Sequence, residues 1–461
     1  MKGFYISSLS SLFSLLLLLV LLLYSNRIVL SDNDNNDNKI TEFNDIEDND
    51  TKQEGKSSKA VWCGTREAAR ILIPQEKYPE AMCMDGTRPA FYLRKGKGDG
   101  LKKWNVFFEG GGWCYDIDEC IRHRRFSDVG SSRRYPSCLA SWKMKYYVNG
   151  DKERNPMMFN WNTVTVKYCD GGSYASDTDI IHNGVKLYFR GKNNREATIK
   201  TLLSIGMNDA DEIVISGCSA GGLGIYLGID EISDIIRQGS KNSSVKIRGM
   251  ADSGFFLDYT SDSNYRIKKQ SDDRGEAIID GIMDYGGAMR NVFTFMNISS
   301  GANKECIDHY RSKGKNDNDG KYKPEASCMF AENLVPFIKT PMFAVQPRFD
   351  QWQIWHVIGK PHDISVVNAY ADKMVNYMLK RFIGSKTTTH GGFIDSCTHH
   401  CTSCSAAGED SWHGINIKST KEGFTEATSF YHWYHNIERN DKYFFVQEAT
   451  YPCSDCCICH A

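Results

Sequence analysis

A serine hydroxyl attacks an ester at neutral pH only when a base takes its proton and fixed donors receive the charge that forms on the carbonyl oxygen. Gly217-Cys218-Ser219-Ala220-Gly221 offers such a serine. The apolar run 212–216 (EIVIS) precedes it, and the helix-compatible GLGIYLGIDEISDII follows. Strand, sharp turn and helix lift a G-x-S-x-G serine out at the end of a sheet, beside the free N–H groups of a helix N-terminus. The bare pattern is common by chance. Its flanks make Ser219 the candidate nucleophile.

Donors for an oxyanion are available upstream. Glu109-Gly110-Gly111-Gly112-Trp113-Cys114 directly follows the apolar run 104–109 (WNVFFE). Glycines let backbone N–H groups approach a bound carbonyl with no Cβ in the way. Gly111 and Gly112, together with the N–H of Ala220, are the candidate oxyanion hole. Without Ser219 the triplet reads as a flexible turn.

In this kind of site the acid and then the histidine follow the serine in the chain. Asp350 closes PMFAVQPRFD, at the carboxyl end of a late apolar run, where ligand sites of open α/β sheets gather. Asp252 and Asp258 are its rivals, although Asp252 follows an earlier strand. His399 and His400 are the candidate bases, set in Cys397-Thr398-His399-His400-Cys401, which disulfides could hold beside the serine. His390, His413, His432 and His435 read as surface or satisfied residues. Cys397, His399, His400, Cys401 and Cys404, and the tail Cys453, Cys456, Cys457 and Cys459, also have ligand types that suit zinc. In an oxidising compartment disulfides are the preferred reading of these cysteines, and no metal is assigned.

The elements that must position these residues alternate. From about Trp62 onward, short β-rich runs ending in Gly or Asp alternate with helix-period segments, which predicts an α/β fold with a mainly parallel sheet covered by helices. Strands are expected at 104–109, 163–168, 212–216, 245–250 and 341–346, several of them nearly continuous apolar runs. Helices are expected over 196–206 and from Val367 to Gly384, where apolar residues recur at i, i+3, i+4 and i+7. The stretch 311–323 (RSKGKNDNDGKYK) reads as a surface loop.

Residues 1–31 carry a Leu-rich core from Leu12 to Leu23 and read as a secretory signal peptide, or alternatively as an uncleaved signal anchor. Residues 32–58 are too polar to bury a core and read as a disordered spacer, leaving 59–461 as one catalytic domain. With 56 Lys+Arg against 57 Asp+Glu there is no global bias toward nucleic acid, and a membrane is relevant only through an uncleaved anchor. The 16 cysteines, an even number, fit a disulfide-bearing secreted or lumenal protein. Sequons at Asn49, Asn242 and Asn297 are compatible with that compartment.

These motifs, with Met84-Asp85-Gly86-Thr87, Tyr168-Cys169-Asp170-Gly171-Gly172-Ser173, Leu187-Tyr188-Phe189-Arg190-Gly191 and Phe349-Asp350-Gln351-Trp352-Gln353, resemble the pectin acetylesterase family. That family includes the Notum-type carboxylesterases, which remove a fatty acyl group from Wnt proteins. The resemblance runs from about Cys63 to the C-terminus. It implies an α/β-hydrolase-like fold with Ser219, Asp350 and His400 as the triad and His399 as a neighbour of the base. The chain departs from the plant-type pattern at Asp395 and at the Thr398-His399 pair, and its tail carries the extra pair Cys456-Cys457.

The chemistry expected is hydrolysis of a carboxylic ester on an acylated glycan or an acylated protein, with no cofactor. O-deacetylation of a glycan is the leading reading. Removal of a long acyl chain from a protein is the second, and needs a deep apolar pocket. A third is a secreted glycan-binding protein that has lost catalysis and holds its ligand on Trp113, Trp352 and Trp355.

Overall fold

Successive side chains of a strand point to opposite faces, so a strand covered on both sides feeds two cores. Residues 212–218 do this: Ile213 and Ile215 enter one buried cluster with Val106, Phe108, Val164 and Val166. Val214 enters the other, with Phe107, Met250, Phe343, Val345 and Phe393. The sheet between these cores is the scaffold of the protein.

The computed structural model describes residues 63, 67–140, 146–259, 284–314, 322–359, 363–385, 389–401, 412, 416–417, 424–436, 443–453 and 456. These lie within one unit, Lys59–Ala461. The expected signal segment 1–31 and spacer 32–58 fall outside the described residues. Among the described residues no helix is long and apolar enough to cross a membrane.

In chain order the strands are β1 (Ala68–Leu72), β2 (Ala90–Arg94), β3 (Lys103–Phe108), β4 (Cys138–Leu139), β5 (Asn162–Val166), β6 (Thr178–His182) and β7 (Val185–Phe189). They continue with β8 (Glu212–Cys218), β9 (Lys246–Asp252), β10 (Met342–Pro347), β11 (Gly391–Asp395), β12 (Asn416–Ile417), β13 (Phe424–Thr425) and β14 (Phe444–Val446). A ten-stranded sheet runs β14-β11-β10-β9-β8-β3-β5-β2-β1-β4. From β14 to β5 every neighbouring pair is parallel, and β2, β1 and β4 extend the sheet antiparallel. The carboxyl ends of β3, β8, β10 and β11 therefore share one edge.

The principal helices are α1 (Ile117–Phe126), α2 (Gly191–Ser204), α3 (Ala220–Gly239), α4 (Tyr285–Phe295), α5 (Lys304–Lys313), α6 (Ile364–Ile383) and α7 (Glu426–Tyr434). α3 packs on β8 and β9 and against α2, while α7 covers β10 and β11. α6 starts where the Asp363 carboxylate accepts the Ser365 N–H and stops at Gly384, the terminus expected from the sequence.

Each expected strand lies within two residues of an observed one, and the expected helix 196–206 begins earlier, at Gly191. The stretch 311–323 is not wholly loop: α5 continues through Lys313, where Arg311 and Lys313 sit favourably against the C-terminal end of the helix dipole. The residues beyond Gly314, up to 321, lie outside the described set. Disulfides join Cys63 to Cys138, Cys83 to Cys169, Cys114 to Cys120, Cys218 to Cys401, Cys306 to Cys328 and Cys453 to Cys456. Cys397 is also disulfide-bonded.

Candidate active site

Ser219 stands between the end of β8 and the start of α3 with φ +58° and ψ −125°, a conformation that non-glycine residues adopt at a cost of about 1–3 kcal/mol. Its surroundings hold it there. The Ser219 N–H donates to the Asp252 carbonyl at 2.9 Å, and its carbonyl accepts from the Leu223 N–H at 2.9 Å. The flanking motif glycine is needed for space: a Cβ on Gly221 would lie 2.2 Å from the Phe108 carbonyl oxygen. The turn can close only without that side chain.

The glycine triplet begins just beyond β3, which is the sheet neighbour of β8. Gly110 meets the elbow: a Cβ there would sit 2.6 Å from the Cys218 carbonyl oxygen and 2.8 Å from the Ser219 Cβ. A Gly triplet does not say in the sequence which member makes the closest approach, and here that member is Gly110 and not the expected Gly111 or Gly112. Gly111 packs against Val129 and Tyr168, and Gly112 has φ +70°. Ala220 is the first residue of α3, whose N-terminus carries unsatisfied N–H donors.

Asp350 lies just past β10 and is 2% exposed. Its Oδ1 accepts from the Gln353 N–H at 3.0 Å and its Oδ2 from Gln346 Nε2 at 3.2 Å. His400 completes the set, with Nδ1 2.9 Å from Oδ1 and 3.0 Å from Oδ2. Of the rival acids, Asp258 is paired with Arg290, and the Asp252 carboxylate accepts from the Ser253 hydroxyl. A carboxylate at Nδ1 favours the tautomer that carries its proton there, which leaves the lone pair on Nε2.

The histidine loop leaves the end of β11 and is joined covalently to the elbow. Cys218, immediately before Ser219, is bonded to Cys401, immediately after His400, with their Cα atoms 5.8 Å apart. Further ties come from Ser396, whose N–H donates to Gln447 Oε1 at 2.9 Å and whose hydroxyl donates to the Gln447 carbonyl at 2.9 Å. The Cys401 N–H donates to the Ser253 hydroxyl at 2.7 Å. Serine, histidine and aspartate are thus brought to one end of the sheet from three parallel strands.

His399 points elsewhere. It is 3% exposed, with Nε2 3.1 Å and 3.2 Å from the two Asp395 oxygens and Nδ1 3.0 Å from the Cys401 carbonyl. Burial alone would lower its pKa, but the charge and hydrogen bond of Asp395, with the charge of Glu426, push it up from 6.5 to about 10. Asp395, His399 and Glu426 place ligand-type atoms within 4.8 Å of one another. Both ring nitrogens of His399 face oxygen atoms, of the Cys401 carbonyl and of the Asp395 carboxylate. The zinc alternative for the cysteine–histidine cluster fails at Cys397 and Cys401, because both sulfurs are in disulfides. Of the histidines set aside in the sequence, His390 is buried, with Nδ1 accepting the Met342 N–H at 3.0 Å, and its pKa is lowered by burial to about 4.

An aromatic wall borders the site. The Trp352 ring stacks beside His400 with centroids 6.1 Å apart, and meets Trp113 edge-on at 5.6 Å and Phe256 at 5.4 Å. Tyr285 and His356 extend it. Trp113 is fixed by its own indole N–H, which donates to the Ser173 hydroxyl at 2.8 Å.

Comparison with known proteins adds an independent line. Residues 65–458 match the model of the family described as Pectinacetylesterase. Pectin acetylesterase 5 of Arabidopsis thaliana is 29% identical over 396 residues, covering 82% of this chain and 82% of its own length. The palmitoleoyl-protein carboxylesterase notum1a of Danio rerio is 28% identical over 288 residues, covering 60% of this chain and 51% of its own. The crystal structure of the Wnt deacylase Notum from Drosophila superposes with a TM-score of 0.64 at 23% identity, covering 85% of this chain and 99% of that one. At that identity the superposition speaks for the fold.

Proposed function

The chain belongs to the pectinacetylesterase family, and we propose that it removes O-acetyl groups from a glycan through a Ser219–His400–Asp350 triad. The observation that carries this reading is the joint restraint on the three residues. His400 is held to Asp350 through Nδ1 and to the residue beside Ser219 through the Cys218–Cys401 bond.

In this reading His400 Nε2 takes the Ser219 hydroxyl proton as Oγ attacks the acetyl carbonyl carbon. The carbonyl oxygen becomes an oxyanion, received by the N–H of Ala220 and those of Gly111 and Gly112. The imidazolium, stabilised by Asp350, returns the proton to the leaving sugar oxygen, and the C–O bond breaks. Water, deprotonated by His400, then attacks the acetyl-serine, releasing acetate and restoring Ser219. The steps call for no metal or organic cofactor. The N-terminal segment 1–31, as signal peptide or anchor, would deliver domain 59–461 through an oxidising compartment to the lumen or exterior, in keeping with its disulfides.

One observation favours a second substrate class. The wall formed by Trp113, Phe256, Tyr285 and Trp352 beside His400 is apolar enough to receive a longer acyl chain, as on an acylated protein. Hydrolysis of p-nitrophenyl acetate, butyrate, octanoate and palmitate, with Ser219→Ala as control, separates the readings. Serine-dependent activity confined to acetate is expected. A peak at octanoate or longer would give the site to the protein deacylase, and absence of serine-dependent turnover would leave a binding protein.

A further inference from the structure

Behind the proposed base lies a second, buried set of charges that the triad does not use. His399 is 3% exposed, while Asp395 and Glu426 are wholly buried. Asp395 closes β11, His399 lies four residues further on, and Glu426 opens α7, so two separate parts of the fold supply the three residues. Asp395 and Glu426 are charged groups that raise the pKa of the ring against the effect of its burial.

The hydrogen-bond partners of His399 determine its protonation. Nδ1 faces the Cys401 carbonyl oxygen at 3.0 Å, and a carbonyl only accepts. Nε2 faces both Asp395 carboxylate oxygens, at 3.1 Å and 3.2 Å. Asp395 also accepts the Cys397 N–H at 2.8 Å on Oδ1. Two acceptors opposite two ring nitrogens require two N–H donors, and only the imidazolium has both.

That ring braces the site. Its Nδ1–H spans His400 to hold the carbonyl of Cys401, and its own backbone carbonyl accepts the Gln351 N–H at 2.9 Å. Gln351 adjoins Asp350. The pair His399–His400 therefore meets the pair Asp350–Gln351 at two points, once through backbone and once through side chains. At the other end, the Asp395 carbonyl accepts the Arg348 N–H at 2.7 Å, tying the root of the histidine loop to the strand that carries Asp350.

We infer that His399 is a positioning residue that stays protonated through neutral pH, whose imidazolium, held by Asp395, Glu426 and the Cys401 carbonyl, fixes the backbone from which His400 reaches Asp350. The inference rests on the reading of His400 as the base.

The test uses the purified full chain labelled with ¹⁵N-histidine. At pH 8.5 one imidazole should show both ring nitrogens protonated, and its signals should vanish in His399→Asn and in Asp395→Asn. A wild-type spectrum at pH 8.5 with no doubly protonated ring would overturn the proposal without recourse to any variant. In kinetics, His399→Asn should lower kcat about 10–100-fold with little change in KM, as misplacement of a catalytic group does. A loss carried by KM with kcat unchanged would mark a merely structural residue and overturn the positioning role. A stoichiometric metal that leaves with chelator, taking activity with it, would replace the imidazolium by an ion and also overturn the proposal. The two readings fail separately: turnover persisting in His400→Ala removes the base but leaves the ring protonation of His399 measurable.

Discussion

The imidazole of His400 meets both oxygens of Asp350, with Nδ1 2.9 Å from one and 3.0 Å from the other, and the same carboxylate caps the short helical turn Gln351–Gln353 through the Gln353 N–H. One side chain thus fixes the local backbone and the orientation of the ring. Asp350→Asn keeps the shape but replaces one acceptor oxygen by an N–H donor, which favours the wrong tautomer of His400. A loss of about 10⁴-fold in kcat is expected, with KM little changed. Steady-state kinetics on a short-chain ester measures it, and a loss below tenfold would remove Asp350 from the mechanism.

Ser219→Ala should abolish ester hydrolysis, with kcat down by at least about 10⁴-fold. It should leave the melting temperature close to that of the parent, since only an oxygen is removed. Residual turnover comparable to wild type would refute the nucleophile assignment.

Between the two histidines, His400→Ala should cost several orders of magnitude in kcat. His399→Ala, which removes a brace and not the base, should retain measurable activity. Equal small losses would mean that neither histidine is the base.

Gly110→Ala tests the closest approach to the elbow. The added Cβ would fall 2.6 Å from the Cys218 carbonyl oxygen and 2.8 Å from the Ser219 Cβ, both parts of a rigid turn. Displacing the elbow by about 1 Å should reduce kcat about 10²-fold. Unchanged kcat would show that the triplet moves independently of Ser219.

Two buried histidines give stability opposite pH dependences. The folded pKa of His399, raised to about 10, means that the native state holds a proton the unfolded chain has lost above 6.5. Its contribution is full below about 6.5 and disappears as pH rises toward 10. His390, lowered to about 4 by burial, binds its proton later than the unfolded chain does. Its contribution is full above about 6.5 and is lost as pH falls toward 4. Urea unfolding at pH 5, 7 and 9 should show the alkaline decline flattened in His399→Asn and the acid decline flattened in His390→Asn. Parallel curves for parent and variants would contradict both shifts.

What can be read in the sequence depends on whether the signal is contiguous. Ser219 was legible because its strand, turn and helix occupy consecutive residues, and Asp350 because it ends an apolar run. β11 was not, since Gly391 and Gly392 have poor strand propensity. The sheet accepts them because Trp433 and Phe444 fill the space their side chains would take. With that strand hidden, the position of the histidine loop rested on its cysteines. Asp395 stood out only as a departure from the plant-type pattern. Its partner Glu426 comes from a helix far along the chain, and no local signal links the two.

The Cys218–Cys401 bond joins positions 183 residues apart. It turns everything between them, including β9, β10, β11 and α6, into a closed covalent ring with Ser219 just inside one end and His400 just inside the other. A protease that cuts this ring once yields no separate fragments. Nicked protein should migrate as a single species until a reductant is added, and should keep the segments that carry Ser219 and His400 joined for as long as that bond survives.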